Sequence, residues 1–285
     1  MNITYGADQE VFLYDNTQKK IVSAIPVLKC DKYNPILLGR NKDIKMYADN
    51  VLVEFAFPPC HTKSEIVARF AECFTEGKKF LGERYDFLAV ASHKMDESEL
   101  QDEAAKAIGC NPNFNFYTEN MNEVSPFLDN LRTGSCHIHL GATELLDFDV
   151  RHQAMRLLDI FVGCSSILFN QDDSSLARRN LYGKSGEFRP TPYGGEYRIL
   201  SNFCLRSEDL IKLVLDLVEY SMSFVEKNRQ LEILALVESS KVREAIDTEN
   251  KELAEQVLRA AQLPMSFLNR VKQNYHISSQ KVFTS

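Results

Sequence analysis

The chain of 285 residues is 44% hydrophobic and 26% charged, with a formal net charge of −7. That composition provides apolar material for one large core or two merged ones and excludes a disordered chain. Gripping nucleic acid or an anionic membrane needs clustered Lys and Arg, which an acidic balance disfavours, so neither is expected as a partner.

Seven cysteines, Cys30, Cys60, Cys73, Cys110, Cys136, Cys164 and Cys204, are odd in number and form no C-x-x-C. They signal neither a disulfide framework nor a structural zinc site, and read as reduced thiols of a cytoplasmic protein. The opening residues lack a basic segment followed by an apolar stretch, and no apolar run approaches the roughly 18 residues of a membrane span, so no export signal is visible.

Along the chain, residues 10–14 and 51–57 alternate like strands and predict an early strand pair. Thr62-Lys63-Ser64-Glu65 makes a capping box ahead of Ile66, Val67, Phe70, Ala71 and Phe74, which predicts a helix of about four turns. Between 92 and 133 the pattern is irregular and reads as a long, functional loop region, with an aromatic-rich stretch at 110–117. Helical period returns with Val150, Ala154, Leu157, Leu158, Phe161 and Val162, and again with Leu210, Leu213, Val214, Leu217 and Val218 after a Ser207 cap. The last 60 residues read as helical throughout. The expected organisation is one domain over 1–285 with a helical part from about 206 onward.

Four short segments each place polar or ionisable residues an even number apart, which on a strand puts them on one face. These are Asp8 and Glu10; Asn50 and Glu54; His137 and His139; and Glu196 and Arg198. The opposite face carries Val11, Leu13, Val51, Val53, Phe55, Ile138 and Ile199, so the sheet is expected to bury one side and keep an acid- and imidazole-rich concave side. Converging carboxylates repel unless a cation compensates, and oxygen ligands with one imidazole suit Mg²⁺ or Mn²⁺. Arg178, Arg179, Arg189 and Arg198 fall within a 21-residue span. Metal with clustered arginine is the chemistry of phosphoryl transfer. Taken singly, a D-x-E strand is as readily a solvated face, and lone arginines are as readily surface ion-pair partners. Gly183-Lys184-Ser185 mimics the end of a P-loop, but Arg178 stands where its first glycine belongs, and that reading is rejected.

The segments G-A-D-x-E, D-N-V-x-V-E-F, H-I-H-L-G and R-x-L-Y-G-K-x-G-x-F-R-P-x-x-Y-G-x-E-Y-R-x-L-S-N span residues 5–205 approximately. Together they resemble the viral carboxylate-amine ligases, or type-2 amidoligases, relatives of glutamine synthetase and glutamate-cysteine ligase. Gln9 stands where that family often has proline. The resemblance implies an α+β fold with a curled antiparallel sheet covered by helices, ATP and Mg²⁺ or Mn²⁺ as cofactors, and metal-binding positions at Asp8, Glu10, Glu54, His137 and Glu196. It further implies catalytic roles for Arg198, Arg189 and Glu54, and nucleotide or phosphate contacts from Arg179, Arg189, Arg198, His139 and Lys184. Residues 184–195 would form a glycine-rich lid.

The implied reaction activates a substrate carboxylate as an acyl phosphate, and an amine then displaces phosphate. Competing readings are a metal-dependent hydrolase using the same acids and histidines without nucleotide, and a degenerate ligase acting as a binding protein. The expected partners are small-molecule or peptide carboxylates and amines, which the sequence does not name; residues 110–117 and the segment before His137 are where acceptor selectivity is expected. Whether the chain forms a homo-oligomer stays open.

Overall fold

The computed structural model describes residues 1–106, 114–121, 130–273, 275, 277 and 279–284. Its strands are β1 (Thr4–Asp15), β2 (Lys20–Val22), β3 (Ile36–Leu38), β4 (Ile44–Asp49), β5 (Leu52–Ala56), β6 (Tyr85–Leu88), β7 (Ser92–Lys94), β8 (Phe114–Asn115), β9 (Asn120–Met121), β10 (Leu131–Thr133), β11 (Cys136–Gly141), β12 (Glu187–Thr191) and β13 (Gly194–Tyr197). Its helices are α1 (Ile25–Leu28), α2 (Lys63–Leu81), α3 (Glu103–Lys106), α4 (Phe148–Leu158), α5 (Cys164–Phe169), α6 (Ser175–Leu181), α7 (Glu208–Glu226), α8 (Gln230–Leu234), α9 (Ser239–Asp247), α10 (Lys251–Ala260) and α11 (Met265–Val271).

The main sheet is antiparallel and open, in the order β3-β4-β5-β1-β11-β13-β12-β8-β9. β1 is its spine. Residues 4–9 pair with β11 and 9–11 with β5, whereas 12–15 pair with β6 and 13–15 with β2. β1 therefore exchanges neighbours halfway along its length, with β11 and β5 beside its first part and β6 and β2 beside its last.

Apolar residues of alternating parity bury one face. Ala7, Val11, Leu13, Val53, Phe55, Ile138, Leu140 and Tyr197 enter the main core with α2, α4 and α7. α2 begins as its capping box predicts, with Thr62 Oγ1 accepting from the Glu65 amide and Glu65 Oε2 accepting from the Thr62 amide, each at 3.2 Å. It runs 19 residues, longer than expected. α2 closes on the sheet at Gly77, where an added Cβ would lie 2.8 Å from the Phe55 ring. On the other face of β1, Phe12 packs with Val51, Leu52, Leu88, Val90 and Met95 in a smaller cluster.

Several expectations change. The segment 49–55 is not one strand: Asp49 pairs directly with Leu52 across a two-residue turn at Asn50 and Val51, and Asn50 takes φ 53°. Val51 therefore joins the smaller cluster and not the sheet's main core. The helix predicted across 150–162 is interrupted by a π segment, Asp159–Gly163. Ser207 occupies the N-cap of α7 but makes no side-chain cap bond. Among the described residues the helices end with α11; beyond it Lys281 bridges to Leu88 and Phe283 donates its amide to Leu205. The irregular stretch 92–133 holds β7, α3, β8, β9 and β10, with residues 110–113 of the aromatic segment outside the described residues. Residues 187–195, most of the lid expected over 184–195, belong to the β12–β13 hairpin inside the sheet.

Candidate metal and phosphate centre

Strand register assembles the site. Asp8 lies opposite His137, Glu10 opposite Glu54, Glu54 opposite Tyr47, His139 opposite Glu196, and Glu196 opposite Arg189. Directly opposed residues of antiparallel strands share a face, so six strands present these side chains on the side away from the main core. Gly6 opposes His139 and leaves the face open there.

Two groups of ligand atoms result, Asp8 with His139 and Glu196, and Glu10 with Asp49 and Glu54; within each, the atoms lie within 4.8 Å of one another. His137 stands between the groups, its Nδ1 3.4 Å from Glu196 Oε1 and 4.0 Å from Glu10 Oε1. His139 Nε2 is 3.1 Å from Asp8 Oδ2 and 3.9 Å from Glu196 Oε2. His139, expected as an outlying phosphate or substrate contact, thus sits among the acids. Sequence reasoning missed Asp49, because it read Asn50 as sharing parity with Glu54. The hairpin turn reverses that parity: Asn50 Oδ1 accepts from the Val51 amide and from Arg132 Nε, while Asp49 joins the acids. The adjacent Asp-Asn pair, a common turn former, was the available signal.

The acids crowd each other out of water. Burial and the Asp49 charge push Glu10 up to about 7. Burial, with Asp8, Glu10 and Asp49 nearby, holds Glu54 well above the usual carboxylate range, and burial also raises Asp49. Tyr47 donates to Glu54. Asp8 is buried too, yet its bond to His139 and the charges of Arg198 and Arg189 bring it below its ordinary value. Burial and the charges of Arg198 and Arg178 keep His137 neutral; burial also lowers His139, but the bond to Asp8 together with the charges of Asp8 and Glu196 raises it on balance. Five carboxylates with two imidazoles in one recess fit divalent cations: bound charge is what lets all the acids ionise together.

Glu196 is the hub. The buried Arg198 donates to Oε1, and Arg189, 43% exposed, reaches Oε2 at 3.0 Å. The other two arginines are committed elsewhere. Arg178 donates to the carbonyls of Ile199 and Leu200 and to Ser135 Oγ. Arg179 donates to the carbonyls of Gly183 and Ile199 and pairs with Glu249, so the structure does not bring it to the acids. Lys184 is exposed on the turn that follows α6. The amides of that turn are taken up by carboxylates: Gly183 donates to Glu187, Ser185 to Asp247 and Gly186 to Asp159. A phosphate-cradling P-loop would need those donors free. Tyr182 and Tyr193, which the sequence reading did not single out, border the histidines, with Tyr182 Oη 3.4 Å from His137 Nε2 and Tyr193 Oη 3.0 Å from His139 Nδ1.

Comparison with curated proteins finds no match. Among solved structures, a bifunctional glutathione synthetase from Pasteurella multocida shares 10% identity at a TM-score of 0.39, covering 95% of this chain and 51% of that one. The chain thus spans about half the length of that protein, and so distant a likeness carries no argument. Over residues 118–280, more than half its length and including His137, His139, Arg189, Glu196 and Arg198, the chain matches and belongs to the phage phiEco32-like COOH.NH2 ligase-type 2 family.

Proposed function

We propose that this carboxylate-amine ligase forms an amide or peptide-like bond through an acyl phosphate, at the expense of ATP. The observation that carries the reading is the pair of adjoining acid groups on one sheet face, flanked by Arg189 and Arg198. Asp8, His139 and Glu196 would hold one divalent ion and Glu10, Asp49 and Glu54 another, with His137 between them. Such ions supply charge neutralisation on the phosphate oxygens during transfer.

Arg198 is buried and fixed by Glu196, which suits it to a transition state whose charge spreads over the transferring oxygens. Arg189 comes from β12, between β13 and β8, and its side chain is 43% exposed, so it can meet an incoming anion before burial. In the first step a substrate carboxylate oxygen bonds to the γ-phosphorus as the bond to the β–γ bridging oxygen breaks and ADP leaves. In the second, an amine nitrogen bonds to the acyl carbon, inorganic phosphate departs with the carboxylate oxygen, and a proton is released. The buried face, floored beyond Glu10 by Phe12 and its cluster, limits the water that would otherwise hydrolyse the acyl phosphate.

The test is ADP and phosphate release with Mg²⁺ or Mn²⁺ against pools of amino acids, polyamines and short peptides. Release is expected to require both an added carboxylate and an amine, and Arg198→Ala is expected to lower it on the order of 10³-fold or more with folding intact. Full activity in that variant, or turnover of pool components without nucleotide, would overturn the assignment.

A further inference from the structure

The two histidines are arranged alike. Each directs one ring nitrogen at the carboxylates and the other at a tyrosine hydroxyl, but with the nitrogens exchanged. His139 turns Nε2 to Asp8 and Nδ1 to Tyr193, whereas His137 turns Nδ1 to Glu196 and Glu10 and Nε2 to Tyr182. Neither tyrosine comes from a strand that carries its histidine. Tyr193 sits in the two-residue turn joining β12 and β13, its ring stacked on His139 with centroids 6.3 Å apart and planes 21° apart. Tyr182 closes α6, its ring set by the guanidinium groups of Arg198 at 5.3 Å and Arg178 at 5.5 Å.

A neutral imidazole has one N–H and one lone pair, so whatever accepts the N–H decides which nitrogen can ligate. We infer that Tyr182 and Tyr193 are positioning residues that accept the outer N–H of His137 and His139, and so aim the lone pairs of His137 Nδ1 and His139 Nε2 at bound cations. The inference rests on the metal-centre reading of this face. Outer-shell partners of ligating histidines commonly change metal affinity about 10- to 100-fold, with no contact to the ion.

The test measures Mn²⁺ affinity of the full chain, from the paramagnetic signal of free Mn²⁺, for wild type, Tyr182→Phe, Tyr193→Phe and Glu196→Ala. Each Tyr→Phe change keeps the ring and is expected to weaken Mn²⁺ about 10-fold or more at unchanged melting temperature. With diamagnetic Mg²⁺ bound, ring ¹⁵N spectra of wild type are expected to show the proton on Nδ1 of His139 and Nε2 of His137. The opposite tautomers would overturn the inference whether or not the variants fold. Wild-type affinity in both Tyr→Phe variants, with Glu196→Ala binding lost, would overturn the tyrosine roles and leave the metal centre standing. Absence of Mn²⁺ binding by wild type, or full affinity in Glu196→Ala, would overturn both.

Discussion

Asp159, wholly buried in the π segment, accepts from the Gly186 amide at 2.9 Å and from Tyr197 Oη at 3.1 Å. Burial pushes it up to about 8. The unfolded chain releases that proton near pH 4, so from about 4 to 8 the folded state holds the extra proton. Its contribution to stability is therefore full at low pH and declines, by at most about 1.4 kcal/mol per pH unit, as pH rises to about 8. Asp159→Asn keeps an acceptor for Gly186, and Tyr197 also reaches the Leu158 carbonyl at 3.2 Å. This variant is expected to flatten the decline in melting temperature between pH 6 and 9; curves parallel to wild type would contradict the neutral carboxyl. The acids of the site act in the same sense without metal, because Glu10, Asp49 and Glu54 are all raised. Cations require them ionised, so saturating Mn²⁺ is expected to raise the melting temperature more at pH 8 than at pH 6. An equal shift at both would place the ion elsewhere.

Among the elements, the turn between α6 and β12 is the most constrained. Three carboxylates hold its amides, Gly183 and Gly186 take φ of 78° and 81°, and a Cβ on Gly183 would fall 2.1 Å from Arg178 Nη1. Arg178 in turn ties down the backbone at Ile199 and Leu200, beside Arg198. Gly183→Ala combines positive-φ strain with displacement of a buried guanidinium and is expected to cost about 2–4 kcal/mol in urea unfolding. A loss below about 1 kcal/mol would mean that Arg178 has room to move. Local signals read this level unevenly. The α2 capping box was legible because its partners lie three residues apart. The β4–β5 hairpin was not, since Val51 to Phe57 alternates convincingly and only the pairing of Asp49 with Leu52 shows where the strand begins. The glycines of 184–195 suggest the freedom of a lid, whereas sheet pairing with β11 decides the state of residues 194 and 195 and hairpin pairing that of 187–191.

At the scale of the whole molecule, β1 connects two distant parts of the sequence. Its acids lie far before residues 118–280, yet β11 and β5 flank it and bring Asp8 and Glu10 against His137, Glu196 and Glu54. Strand parity alone revealed Asp8, Glu10, His137, His139, Glu196 and Arg198, because period two is a local property. It did not reveal Asp49, Tyr47, Tyr182 and Tyr193, whose places depend on turns and on which strands become neighbours. The phosphate contact that the resemblance implies for Arg179 is likewise decided by the fold, which spends that side chain on backbone carbonyls while Arg198 meets the acids. Among the described residues no helix is long and apolar enough to cross a membrane.

The central claim is that ATP is spent in activating a carboxylate and not in reaction with water. The most direct measurement is the mass of phosphate released from ATP in oxygen-18 water, with unlabelled carboxylate and amine pools and Mg²⁺. Ligation through an acyl phosphate delivers the carboxylate's oxygen to phosphate, so the product is expected to carry no solvent label; phosphate bearing one oxygen-18 atom would show attack by water on the γ-phosphorus and contradict the account.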